Sequence, residues 1–71
     1  MTPDALNQAI LDAHDRDDRN GLVRFYGMAA DQASDIDTMC FFLTQAYVFA
    51  LEMEHDQTGD LLARLQQHRR A

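Results

Sequence analysis

The chain contains no lysine and no tryptophan, a single cysteine and a single proline. One cysteine excludes an internal disulfide, and this favours a reducing compartment over secretion. With lysine absent, all six bases are arginine against twelve acids, and the formal charge is −6. Such a balance repels phosphate backbones and anionic lipid, so neither nucleic acid nor a membrane is expected as a partner. Glycine is scarce, and Gly21, Gly27 and Gly59 lie far apart, so no glycine-rich phosphate loop exists. Long apolar runs are missing as well. The oiliest stretch, Met39 to Leu51, is interrupted by Thr44 and Gln45 and falls short of the ~20 residues of a membrane span. The start, Met1-Thr2-Pro3-Asp4, has no basic region followed by an apolar run, so no signal peptide is expected and the cytoplasm is the default location.

What remains is a chain of 71 residues that is 46% hydrophobic, enough for a globular fold. That length suits one domain, residues 1–71. Chains below ~70–80 residues gain little from one core and often need a metal or a second subunit.

The apolar residues recur every three or four positions, which predicts an all-α fold. Thr2-Pro3-Asp4 reads as a helix start: a cap, a proline suited to the first turn, and an acid at the positive dipole end. Apolar residues then fall at Leu6, Ala9, Ile10 and Ala13, which is helical spacing. The polar run 15–21 ends this helix, and Asp17 or Asp18 is positioned to cap the next. Helix two carries Leu22, Val23, Phe25, Tyr26, Ala29, Ala30 and Ala33. Gly27 inside it suggests close approach of a neighbouring helix. Ser34, followed three residues later by Asp37, resembles a capping box. Helix three, about 35–54, has a stripe of Ile36, Met39, Cys40, Leu43, Ala46, Tyr47, Ala50 and Leu51, widened by Phe42, Phe49 and Met53. Its apolar arc exceeds half the circumference, so this helix is expected to be central. Asp56 or Thr58 is placed to cap helix four, where Leu61, Leu62 and Leu65 face inward. Short loops imply antiparallel neighbours.

Helix one can be shifted onto helix three, aligning Leu6 with Leu43, Ala9 with Ala46 and Leu11 with Val48. The chain thus reads as two stacked helical hairpins, about 3–33 and 35–70. With Phe42, Ala46 and Phe49 on helix three and Leu62 on helix four, it resembles a tetratricopeptide-type repeat. Ala9 and Phe25 answer in the first hairpin. Gln45 and Thr58 depart from the pattern, and no proline closes either repeat. The resemblance implies protein or peptide binding and no catalysis. An unrelated four-helix bundle is the alternative architecture.

Three apolar residues fall outside the stripes: Leu11, Phe41 and Val48 each lie ~140° from the stripe centre of their own helix. Either another helix covers them or they form an exposed patch for a partner. The patch reading makes the chain a non-catalytic interaction module, with a homodimer favoured. The alternative function is a metal-binding or small catalytic bundle using His14, His55 and Glu52. Glu52 and His55 have the i, i+3 spacing of di-iron bundles, but Leu11 stands three residues before His14, so no second pair exists. The acidic loop 15–21 does not fit a calcium loop, because Arg16 falls on the first ligand position. Cys40 on the inward stripe reads as an inert buried thiol. Tyr26 and Tyr47 read as core aromatics with polar tips at the edge. Arg64, His68, Arg69 and Arg70 suit the negative end of helix four or an acidic contact. An acidic mimic of nucleic acid ranks last, because the carboxylates do not line one face. No cofactor is expected.

Overall fold

Thr2 accepts a hydrogen bond from the Ala5 amide at 3.1 Å, and Pro3 takes the first helical position, so the first helix begins where its sequence signal stands. In the computed structural model, which describes residues 2–54 and 57–68, four helices follow one another: α1 (Pro3–Asp15), α2 (Arg19–Gln32), α3 (Ile36–Met53) and α4 (Thr58–Gln67). No strand occurs among the described residues.

The turn between α1 and α2 is closed by backbone bonds. Asp18 N–H donates to Ala13 C=O at 2.8 Å and Asp17 N–H to His14 C=O at 3.2 Å, the paired pattern of a Schellman ending. Asp17 holds the left-handed position at φ 55°, where glycine is the usual residue. Asp18 then caps α2, accepting from the Gly21 amide at 3.0 Å. A Cβ on Gly21 would collide with this Asp18 carboxylate. The tight glycine of α2 is therefore Gly21. A Cβ on Gly27 would meet nothing within 4 Å, so the expected helix approach at Gly27 does not occur.

The cap of α3 lies one residue later than expected. Asp35, not Ser34, accepts from the Thr38 amide at 2.8 Å, and the Thr38 hydroxyl donates back to it at 2.8 Å. A carboxylate accepts more strongly than a hydroxyl, which favours this register. At α4, Gln57 occupies the cap position and makes no side-chain cap bond; Thr58 is the first helical residue and Asp56 lies outside the described residues.

Each helix packs on its neighbours in sequence, α1 on α2, α2 on α3 and α3 on α4. No Cα of α1 comes within 8 Å of α3 or α4. The result is a small helical bundle of antiparallel helices, open rather than closed, in a zigzag with extents of 31 × 28 × 13 Å. Val23 and Ala30 of α2, Cys40, Leu43, Ala46 and Ala50 of α3, and Leu61 and Leu65 of α4 form one buried cluster. Leu6, Ile10 and Ala13 of α1 form a second with Leu22 and Ala29 of α2. Helix α2 therefore carries two apolar faces, one toward each cluster.

The inward stripe of α3 is narrower than its sequence suggests. Cys40, Leu43, Ala46 and Ala50 are buried, but Ile36 and Leu51 at its ends are exposed. Leu51 lies ~100° around the helix from Ala50, beyond the arc that α2 and α4 cover. Ile36 is the first residue of α3, and α4, ~15 Å long, matches only about half of the ~27 Å of α3. Leu62 is only half-buried, whereas Leu61 and Leu65 are fully inside.

Candidate functional site

Between α1 and α3, with α2 as its floor, runs a groove. Leu6, Ile10 and Ala13 turn α1 toward α2, which leaves Asn7 and His14 on the side of α1 nearest α3. From α3, Phe42 and Phe49 point back across the same floor and pack against the α1–α2 cluster. One end of the groove encloses about 230 Å³ among Pro3, Leu6, Ile10, Ala29, Ala33 and Phe42.

The other end is filled by rings. Tyr26 stacks on Phe49 with centroids 6.0 Å apart and planes 9° from parallel. His14 presents an edge to Phe49 at 5.9 Å, and its Nε2 lies 2.9 Å from the Tyr26 hydroxyl. Aromatic pairs at this separation add ~0.5–1.5 kcal/mol beyond their buried area. Burial pushes the Tyr26 phenol above the ordinary tyrosine value. Its oxygen still reaches the surface through His14, so the expected aromatic with a polar tip describes Tyr26. The sequence offered His14 only as a candidate metal ligand and gave no sign of this contact, because the partners come from three different helices.

Along the rim stand the residues outside the stripes. Phe41 is 57% exposed, Leu11 51% and Val48 43%, so no other described helix covers them. Phe41 sits edge-on to Phe42 with centroids 5.5 Å apart, which ties the exposed ring to the groove wall. Leu11 is bracketed on its helix by Asn7 and His14, which places it on the groove side of α1. The three residues therefore flank one broad side of the molecule. Leu51, 50% exposed, and Thr44 join Phe41 and Val48 on α3. The sequence signal for these two was the three- and four-residue spacing from Phe41, masked by assigning Leu51 to the inward stripe.

The charges are arranged elsewhere. Arg19 reaches Asp17 at 3.5 Å and Glu52 at 3.4 Å, Arg64 reaches Asp31 at 2.8 Å, and Arg24 lies 5.5 Å from the centre of the Phe25 ring. All three ion pairs are solvent-exposed, and such pairs contribute ~0–1 kcal/mol each. Of the residues considered for a metal, His14 faces Tyr26, Glu52 faces Arg19, and His55 lies outside the described residues. Among the described residues no three His, Cys, Asp or Glu side chains converge. Cys40 is buried with a free thiol. No described helix is long and apolar enough to cross a membrane. Compared with protein-family models, with curated proteins and with solved structures, the chain matches none.

Proposed function

We propose that this chain is a non-catalytic protein–protein interaction module that associates with itself through an apolar patch containing Leu11, Phe41 and Val48. The observation that carries this reading is the exposure of all three large apolar side chains; their helical positions turn them toward one side of the molecule. Large apolar groups left in water at neighbouring positions mark contact surfaces. A chain of this size also gains in stability from burying such groups against a second subunit. The succession of helices, with α1 and α3 lining a groove floored by α2, supports the likeness to stacked tetratricopeptide-type hairpins. The acidic charge and the single buried cysteine support a cytoplasmic protein whose partners are proteins rather than nucleic acid or membranes.

Sedimentation of the wild-type chain tests the reading, alongside a variant carrying Phe41→Ser and Val48→Ser. The wild type should show a dimer at high micromolar concentration. The variant should remain helical by circular dichroism and sediment as a monomer. A strictly monomeric wild type would overturn the proposal, and so would unfolding of the variant, since it would make both residues part of the core.

A further inference from the structure

The rings in the groove form a row. Tyr26 stacks on Phe49 and lies 6.1 Å from Phe42, with the planes of that second pair 31° apart. Phe42 and Phe49 stand seven residues apart, about two turns along one face of α3, so Tyr26 sits between them. The row Phe49–Tyr26–Phe42 stops where the cavity begins, and Phe42 is the cavity wall.

The cavity selects for size and charge. Its volume is about 230 Å³. An apolar cavity of ~150 Å³ stays dry and takes one benzene ring, so this one has room for two fused rings. Leu6, Ile10 and Ala29, all buried, make its floor. Asn7 and Gln32, both exposed, stand at its mouth. None of the described residues lining it is charged, in a chain where 25% of residues are. An ionised ligand group would give up its water there and meet no counter-charge.

We propose that this cavity binds a small uncharged aromatic molecule, of one or two rings, that carries one hydrogen-bonding group. The ligand ring extends the row beyond Phe42. Its polar group meets the side-chain amide of Asn7, which offers both a donor and an acceptor. An aliphatic molecule of equal volume would fill the space but forgo the ring contact with Phe42. The site is independent of self-association, since Leu11, Phe41 and Val48 lie outside its lining.

Indole is a suitable probe, because the chain has no tryptophan and indole fluorescence is read against tyrosine alone. Titrated with the wild-type chain, indole should bind saturably with one site per chain. Ala33→Leu places three more carbons in the cavity and should weaken binding severalfold while the helices persist by circular dichroism. Phe42→Leu keeps an apolar wall without the ring and should weaken it as well. Indole-3-acetate, the same rings with a carboxylate, should bind at least about tenfold more weakly. The Phe41→Ser, Val48→Ser variant should bind indole as the wild type does. Absence of saturable binding at millimolar indole would overturn the proposal, as would undiminished binding by both cavity variants. Equal affinity for indole-3-acetate would overturn the uncharged class of ligand. Loss of binding in the Phe41→Ser, Val48→Ser variant would move the ring to the exposed patch and overturn the site.

Discussion

Gly21 and Gly27 lie six residues apart on one helix, and the structure gives them opposite roles. Gly21 is buried under the carboxylate that caps α2, while Gly27 has open space where a side chain would go. Gly27→Ala should therefore stabilise the fold by ~1 kcal/mol through helix propensity alone. In a domain of this size that raises the thermal midpoint by about 4–8 °C. At Gly21 the same gain is opposed, because the new methyl displaces Asp18 from its cap, and a lost cap costs ~1 kcal/mol. Thermal melts of the two variants should show a rise for Gly27→Ala and little net change for Gly21→Ala. Equal rises would mean that the Asp18 cap contributes nothing. The sequence showed both glycines but not which one was crowded, because crowding depends on where the Asp18 side chain turns.

At the scale of the helix, the ends were more legible than the faces. Thr2 and Asp18 cap where their residue types and positions suggest, and α3 is shifted by a single residue to Asp35. The bond from the Thr38 amide, followed by that from the Thr38 hydroxyl, holds the Asp35 carboxyl below the ordinary aspartate value. A depressed folded pKa contributes stability that is present above the unfolded value and lost as the pH falls through the folded one. Asp35→Asn keeps an acceptor at the cap but cannot titrate there. Urea midpoints followed from neutral pH into the acid range should fall less steeply for Asp35→Asn than for the wild type. Parallel curves would show that the Asp35 bonds form equally in the unfolded chain. The faces were harder to read because the apolar arc of α3 is wider than its neighbours can cover. Periodicity located the arc but not the part left in water, which Ile36 and Leu51 share with Phe41 and Val48.

The whole molecule is thin, and its central helices α2 and α3 do most of the packing. A fold of this size should depend on concentration if a second copy covers its open side, since binding to the folded state alone raises apparent stability. The thermal midpoint should rise with protein concentration in the wild type and stay constant in the Phe41→Ser, Val48→Ser variant. A constant midpoint in both would remove the contribution of dimerisation to stability. Two copies each carry a formal charge of −6 and repel one another. Salt screens that repulsion, so association through the apolar patch should hold or tighten as ionic strength rises. Weakening by salt would point instead to a charged contact from the arginines near the C-terminus.

Composition and spacing by themselves determined that this chain coils into four helices, where the first two of them begin, and that Leu11, Phe41 and Val48 stay out of the inward stripes. These properties are local: a cap acts across three residues, and a helical face repeats every three or four. Which apolar residues are covered was decided only in three dimensions, as was the meeting of His14, Tyr26 and Phe49 in one cluster. Burial depends on how far each neighbouring helix reaches and at what angle it lies. Those quantities come from the packing of whole helices and are carried by no single segment of the chain.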